Sequence, residues 1–174
     1  VTERTAILER AAELFEARTA EFTSLIAKEA GRALNDGLDE VREAVDFCRY
    51  YAAQATSLMH SELELPGITG ETNRLSYAPR GPWLCISPWN FPLAIFTGQI
   101  VANLAVGNTV VAKPAEQTPL VARLACDVLN EAGVPEGVLN LVNGDGPTLG
   151  GWLLPDERIA GVSFTGSHPS ARVI

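Results

Sequence analysis

Two short polar segments carry the side chains of this chain that could do chemistry. The first, Ile86-Ser-Pro-Trp-Asn-Phe-Pro92, holds the amide of Asn90 between two prolines. The second, Ala112-Lys-Pro-Ala-Glu-Gln-Thr-Pro119, offers a cation at Lys113 and a carboxylate at Glu116. A rigidly held amide can donate a hydrogen bond to a developing oxyanion, and charged groups make strong hydrogen bonds to phosphates and hydroxyls. This set of groups suits a phosphate-bearing cofactor beside a carbonyl.

Each segment follows an apolar run that is typical of a buried strand, Trp83-Leu84-Cys85-Ile86 in one case and Thr109-Val110-Val111-Ala112 in the other. Polar groups at the carboxyl ends of neighbouring parallel strands face one crevice, where open α/β sheets bind ligands. The alternation continues downstream. Strands are predicted at 83–87, 109–112, 138–142 and 160–164, and helices at 93–105, 119–132 and near 148–154. Such alternation predicts an open parallel sheet, and so an α/β fold.

Each of these side chains also has a plainer interpretation. The Asn90 amide could cap the helix that follows it, and Lys113 with Glu116 could form a surface ion pair worth about 0–1 kcal/mol. Gly144-Asp-Gly146 is only the first half of a dinucleotide-binding fingerprint, so it predicts either a turn or a close approach by a nucleotide. Phe164-Thr-Gly-Ser167 precedes a predicted helix, whose free N–H groups could bind a diphosphate or be capped by the serine.

The first 60 residues have the apolar periodicity of helices. A break is predicted near Arg18, with Thr19 capping a second helix that stops at Gly31. A third helix should begin after Asp36 and Gly37, since the apolar face of the next helical pattern starts there. We expect residues 1–60 to be a helical segment that flanks the sheet.

The remaining chain divides into two further parts. Residues 61–82 are a turn-rich connection, with a short strand predicted at 75–78. Residues 83–174 are part of the α/β domain, cut short at the C-terminus just as a helix begins. Within it, Thr118 is expected to cap the helix 119–132, with Pro119 in its first turn.

Composition excludes some classes of function. The chain has 174 residues, a net charge of −8 and a pI near 4.7, so bulk electrostatics disfavour nucleic acid and anionic lipid as partners. No apolar stretch is long enough to span a membrane, and no signal peptide is recognisable. Cys48, Cys85 and Cys126 show no metal-binding spacing, so we expect no metal site and buried cysteines in a reducing, cytoplasmic protein.

The order and spacing of the motifs resemble the aldehyde dehydrogenase superfamily over essentially all 174 residues. The motifs are Ser-Pro-Trp-Asn-Phe-Pro, Lys-Pro-Ala-Glu-Gln-Thr-Pro, Ala132-Gly-Val-Pro-Glu-Gly137, Leu141-Val-Asn-Gly-Asp-Gly146 and Phe164-Thr-Gly-Ser167. A narrower resemblance, carried by segments 43–52, 65–71 and 85–98, is to bifunctional proline-utilisation flavoproteins. There this region belongs to the L-glutamate-γ-semialdehyde (1-pyrroline-5-carboxylate) dehydrogenase domain.

The resemblance implies a role for each candidate residue on a Rossmann-like fold. Asn90 would be the oxyanion amide. Lys113 and Glu116 would hold the adenosine ribose of NAD, and Gly146 would lie near the adenine. The other residues implied to bind cofactor are Ile86, Ser87, Pro88, Trp89, Ala115, Phe164, Thr165, Gly166 and Ser167. Because its carboxylate would repel a 2′-phosphate, Glu116 favours NAD over NADP.

The implied activity is the NAD-dependent oxidation of L-glutamate γ-semialdehyde to glutamate. The family's catalytic cysteine and general-base glutamate would lie beyond residue 174, so we expect this chain to be an inactive piece of a longer, homo-oligomeric enzyme. FAD would be present only if a proline dehydrogenase domain is attached. His168-Pro169 stands where relatives carry Thr-Glu, so the diphosphate end could bind differently. The alternative function is a non-catalytic nucleotide-binding or assembly module.

Overall fold

Three helices form the N-terminal part of the chain. The computed structural model describes residues 1–174, and its first elements are α1 (Thr2–Ala17), α2 (Thr19–Ala30) and α3 (Leu34–Met59). The predicted stop at Gly31 is confirmed, since this glycine has φ 67°, a left-handed conformation common just after helices. The predicted cap by Thr19 is wrong: Thr19 is the first residue of α2, and its hydroxyl donates back to the carbonyl of Glu16 at 2.6 Å.

The start of α3 also differs from the prediction. Asp36 and Gly37 lie inside the helix, whose first residue is Leu34, and the N–H of Gly37 already donates to the carbonyl of Ala33 at 3.0 Å. Helices α2 and α3 approach closely at Gly37: a Cβ there would lie 3.3 Å from Thr23 Cγ2 and 3.4 Å from the Thr23 backbone. The glycine therefore marks a close approach between α2 and α3 instead of a helix boundary.

A two-stranded hairpin follows the helices. Strands β1 (Leu63–Leu65) and β2 (Asn73–Leu75) are antiparallel, with Leu63 opposite Leu75. The sequence predicted a strand at 75–78, whereas the observed strand β2 covers 73–75 and ends at the first predicted residue. Its position is set by pairing with β1. Every residue from 61 to 80 is exposed.

The rest of the chain is the predicted α/β unit. Its elements are β3 (Pro82–Ile86), α4 (Ala94–Ala105), β4 (Thr109–Lys113), α5 (Pro119–Ala132), β5 (Leu139–Leu141), α6 (Gly146–Leu153), β6 (Gly161–Phe164) and α7 (His168–Ala171). The four strands form one parallel sheet in the order β5-β4-β3-β6, which confirms the fold class. Because the chain moves outward from β3 to β5 and then returns to the other side of β3, the strand order reverses between β3 and β6. Ligands of open α/β sheets bind at such a reversal.

One apolar core joins the N-terminal helices to the sheet. A continuous buried cluster runs from Leu8 and Phe15 in α1, through Phe96 and Ile100 in α4, to Val110 in β4. Helices α4 and α5 therefore lie between the sheet and the N-terminal helices. No helix combines the length and the apolar character needed to cross a bilayer.

The capping of α5 differs from the prediction. Thr118 occupies the N-cap position, and Pro119 is in the first turn as expected, but the Thr118 side chain makes no capping hydrogen bond. The carboxylate of Glu29, at the end of α2, takes that role and accepts from the N–H groups of Leu120 at 2.8 Å and Val121 at 2.9 Å. A carboxylate at this position also interacts favourably with the helix dipole.

Candidate functional site

The ends of three strands bring the predicted segments together. Ile86 lies opposite Lys113 on one side and Phe164 on the other. The pairing continues past the strands: Ser87 N–H donates to the Lys113 carbonyl at 3.2 Å, and Thr165 N–H donates to the Ile86 carbonyl at 3.0 Å. The segments that begin at residues 86, 113 and 164 therefore lie side by side at the point where the strand order reverses.

Gln99 on α4 bridges two of these segments. Its side-chain amide donates to the Ile86 carbonyl at 3.1 Å and to Thr165 Oγ1 at 3.1 Å. Its own oxygen is buried without a partner. Sequence reasoning missed this residue, although its amide, one of two in the otherwise largely apolar helix α4, was the available signal. Gln99 holds the end of β3 to the end of β6.

The ammonium of Lys113 is nearly buried and has few partners. The residue is 6% exposed, and its Nζ donates to the carbonyl of the adjacent Pro114 at 3.0 Å. No carboxylate lies within ion-pair distance of it, so the surface ion pair with Glu116 does not form. An ammonium has three donors, and leaving buried donors unused is costly. Lys113 therefore has the capacity to bind a polar ligand.

Glu116 is exposed and docks on the start of α6. Its Oε1 accepts from the N–H of Gly146 at 3.0 Å. Asp145 caps the same helix by accepting from Thr148 N–H at 2.9 Å, and this hydrogen bond holds the pKa of Asp145 below its usual value, with a smaller contribution from the charge of Lys113. Both carboxylates thus lie at the N-terminus of α6.

The two glycines of the Gly144-Asp-Gly146 turn have different surroundings. A Cβ at Gly144 would lie 3.0 Å from Leu149 Cδ1, so a larger residue there would require the Leu149 side chain to shift. A Cβ at Gly146 would meet nothing within 4 Å. Gly144 therefore packs closely against Leu149, whereas the space around Gly146 is open.

The Asn90 side chain is exposed and makes no hydrogen bond within the chain. It does not cap α4, because the first N–H groups of that helix donate to the carboxylate of Glu40 in α3. The backbone carbonyl of Asn90 accepts instead from Arg32. Sequence reasoning missed both Arg32 and Glu40, because no local motif connects them to residue 90.

The other predicted cofactor residues of the first segment differ in burial. Trp89 is 52% exposed, Ile86 and Pro88 are half-buried, and Ser87 is buried with a hydroxyl that has no partner. Ala115 is also buried, in the turn after β4.

The segment after β6 is a tight turn into α7. A Cβ at Gly166 would lie 2.7 Å from Phe164 Cζ, so a larger residue there would require the Phe164 ring to shift. Ser167 caps α7 by accepting from Ser170 N–H at 3.3 Å, which matches the plainer interpretation of this residue. Pro169 lies in the first turn of the helix, as expected.

The three cysteines are buried, as expected, at 0%, 1% and 4% exposure for Cys48, Cys85 and Cys126. Burial raises the pKa of each thiol to about 12. A cysteine acts as a nucleophile through its thiolate, so none of the three is prepared for covalent chemistry near neutral pH.

Comparison with known proteins gives the family. The model of the aldehyde dehydrogenase family matches residues 1–174. The bifunctional protein PutA of Klebsiella aerogenes is 51% identical over 172 residues, which are 99% of this chain and 12% of that protein. A 1-pyrroline-5-carboxylate dehydrogenase of a Geobacillus species is 46% identical over 165 residues, which are 95% of this chain and 32% of that protein.

The solved structures agree with this assignment. The crystal structure of 1-pyrroline-5-carboxylate dehydrogenase from Thermus with bound NAD is 38% identical to this chain and superposes with a TM-score of 0.92, covering 98% of this chain and 34% of that one. The chain thus spans roughly an eighth to a third of the length of the relatives it matches. With its parallel sheet, its clustered strand ends and a family match along its whole length, this chain belongs to the aldehyde dehydrogenase family.

Proposed function

We propose that this chain is part of an NAD-dependent dehydrogenase that oxidises L-glutamate γ-semialdehyde to glutamate. The observation that carries the proposal is a pair of unused donors at one edge of the sheet. One is the exposed, unbonded amide of Asn90, and the other is the buried ammonium of Lys113. The names of the relatives, a bifunctional PutA and two 1-pyrroline-5-carboxylate dehydrogenases, support the choice of substrate.

The residues at the strand ends fit NAD. The spare donors of Lys113 suit ribose hydroxyls, the carboxylate of Glu116 suits the same ribose, and the space around Gly146 leaves room for the adenine. Residues 86–89 and Ala115 would line the cleft, where Ser87 has a buried hydroxyl without a partner. When bound, NAD supplies the acceptor for the hydride of the aldehyde.

The helix N-termini support a diphosphate position beside β6. Carboxylates already occupy three of them: Glu40 at α4, Glu29 at α5 and Asp145 at α6. A diphosphate placed there would meet like charge, which is unfavourable. Helix α7 is capped by the neutral hydroxyl of Ser167, so the diphosphate is best accommodated by the turn 164–167.

The chemical role proposed for this chain is to stabilise charge. When a nucleophile adds to an aldehyde, the carbonyl oxygen becomes an oxyanion, and the Asn90 amide would donate a hydrogen bond to it. We propose that the nucleophile comes from outside this chain, since all three cysteines are buried and burial raises the pKa of their thiols to about 12. We place that nucleophile, and a general base, in the part of the relatives that this chain does not cover.

The proposal extends to the full-length protein. We propose that it is a cytoplasmic homo-oligomer. A proline dehydrogenase domain with FAD belongs to the proposal only where the same polypeptide carries that domain, as the word bifunctional suggests for PutA of Klebsiella aerogenes.

The decisive experiment compares two proteins, the full-length protein and the 174-residue chain. Each is mixed with NAD and glutamate semialdehyde, and NADH formation is followed by absorbance. We expect turnover by the full-length protein and none by the chain. NAD binding by the full-length protein without turnover of any aldehyde would instead support a non-catalytic nucleotide-binding module. Turnover by the chain that disappears in Cys85→Ser would show that the nucleophile lies within it.

A further inference from the structure

The segment that carries Asn90 has no backbone hydrogen bonds of its own. Residues 88–92 lie between β3 and α4, and none of their N–H or carbonyl groups pairs with another backbone group. The Asn90 side chain is exposed and unbonded. Apart from the restriction imposed by Pro88 and Pro92, the contacts that hold this segment come from side chains elsewhere in the chain.

Two side chains from the N-terminal helical part supply those contacts. Glu40 is 1% exposed, and its Oε2 accepts from the N–H groups of Leu93 at 3.0 Å and Ala94 at 3.3 Å. Arg32, in the turn between α2 and α3, donates through Nη1 to the Asn90 carbonyl. The two side chains thus form hydrogen bonds with both ends of the short stretch from residue 90 to residue 94.

Arg32 connects these contacts to one another. Its guanidinium carbon lies 4.4 Å from the centroid of the Phe91 ring, and its Nε is 3.3 Å from Glu40 Oε1, an ion pair that is not aligned as a hydrogen bond. A planar guanidinium can stack on a ring and donate in its own plane at the same time, which a lysine ammonium does not reproduce. Fixing the carbonyl of residue 90 fixes the peptide plane on one side of its Cα and so restricts the directions in which its side chain can leave the backbone.

From this geometry we infer that Arg32 and Glu40 are positioning residues that aim the amide of Asn90 at the reacting carbonyl. The inference rests on the proposed function of Asn90 as the oxyanion donor. In this arrangement, the helices outside the sheet orient the reactive amide as well as packing against the core. A shift of Asn90 would weaken a hydrogen bond needed only when the oxyanion develops, so it would lower kcat without weakening NAD binding.

The test is a set of variants of the full-length enzyme: Arg32→Lys, Asn90→Ala and the two combined. We expect Arg32→Lys to lower kcat on the order of 10-fold, since misplacement by about 1 Å can cost 10²-fold, with the Kd for NAD unchanged. In the Asn90→Ala background the same substitution should have no further effect on kcat, because Arg32 acts through Asn90. Arg42→Lys, an exposed arginine in α3 paired with Asp39, is the matched control and should leave kcat unchanged.

Each outcome separates the inference from the function on which it rests. A normal kcat in Arg32→Lys beside a low kcat in Asn90→Ala would overturn the positioning role and leave the proposed function intact. A further loss of kcat in the double variant, equal to that of Arg32→Lys alone, would also overturn it. A normal kcat in Asn90→Ala would remove the proposed function of Asn90, and the inference with it. Glu40→Gln, which keeps an acceptor for Leu93 and Ala94, provides a second folded variant with the same expected pattern.

Discussion

The helices of the α/β unit fall into two pairs that are capped in different ways. Helices α4 and α5 receive carboxylates from the N-terminal helical part, Glu40 in one case and Glu29 in the other. Helices α6 and α7 are capped by their own preceding residues, Asp145 and Ser167. The first pair is therefore held by the N-terminal helices, whereas the second is held within the α/β unit, by its own preceding residues and, at α6, also by Glu116, which accepts from Gly146 N–H.

The difference shows how the N-terminal helices contribute to the site. They hold the N-terminus of α4, which directly follows the Asn90 segment, and that of α5, which follows the Lys113 segment. No hydrogen bond from the N-terminal helices reaches Gly146 or the turn at 164–167, whose long-range partners, Glu116 and Gln99, belong to the α/β unit itself. The proposed catalytic side of the site thus depends on the N-terminal helices, whereas the proposed adenine and diphosphate sides do not.

The largest effect that the comparison predicts is on stability, in Glu40→Ala. This substitution leaves the buried N–H groups of Leu93 and Ala94 without an acceptor, which costs about 1–3 kcal/mol for each group. Arg32 keeps Asp36 at 3.8 Å, so the loss of its contact with Glu40 adds less. Glu29→Ala is the matched control, because Glu29 is more exposed and the loss of an ordinary cap costs about 1 kcal/mol. Chemical denaturation and hydrogen exchange at Leu93 and Leu120 would measure both. Equal losses of stability would contradict the distinction between the two caps.

The next effect is on rate, in Asn90→Ala of the full-length enzyme. Since α4 is capped by Glu40, removing the Asn90 amide should leave thermal stability nearly unchanged. The loss of an oxyanion donor should lower kcat by about 10²-fold or more while the Kd for NAD stays nearly constant. A destabilised variant with near-normal kcat would contradict the oxyanion role and would instead indicate that Asn90 caps α4.

A smaller effect is expected on cofactor preference, in Glu116→Gln. The amide can still accept from Gly146 N–H, so the docking on α6 is kept while the negative charge is removed. A carboxylate repels a nearby 2′-phosphate, so the wild-type enzyme should prefer NAD and the variant should show a smaller preference. The measurement is the ratio of kcat/KM for NAD and NADP. An unchanged ratio would mean that Glu116 does not meet the ribose.

The smallest effect is a pH dependence of stability that comes from Glu40. Burial raises the pKa of Glu40 above the ordinary 4.5, and the negative charge of Glu43 adds to the rise. The hydrogen bonds from Leu93 and Ala94 and the positive charge of Arg32 lower the pKa, but by less than burial raises it. Between pH 4.5 and the raised pKa, the Glu40 carboxyl is protonated in the folded state and ionised in the unfolded state. The contribution of Glu40 to the free energy of unfolding therefore declines as pH rises through this window, and it is constant above the raised pKa. Relative to Glu40→Gln, the wild-type protein should lose stability across that window. A difference between the two that is independent of pH would contradict the raised pKa.

The sequence was sufficient where structure depends on neighbouring residues. The strands that end at Ile86 and Lys113, the helix stop at Gly31 and the Pro169 turn all follow from residues within a few positions of one another. The parallel sheet followed from the alternation of such elements, and the candidate site followed from their common edge.

The sequence was insufficient where partners are far apart along the chain. Thr118 has the right residue type and position for a cap, but the carboxylate of Glu29, which lies 91 residues before Leu120, takes its place. In the sequence, Gly37 indicates a helix boundary, but in the structure it lies inside α3 and packs against Thr23 of α2. Arg32 lies 58 residues from the carbonyl that it contacts. No local pattern encodes which distant backbone group a charged side chain will meet.

The long-range caps also have a consequence for biosynthesis. Glu40 is translated 53 residues before Leu93, whose N–H it accepts. At about 5–20 residues per second, the carboxylate waits roughly 3–10 s on the ribosome before its partner exists. During that interval the nascent α1–α3 bundle has neither α4 nor α5 to cover its apolar face. The N-terminal helices can therefore complete their packing only after α5 has been made, and that apolar face must be kept from other contacts until then.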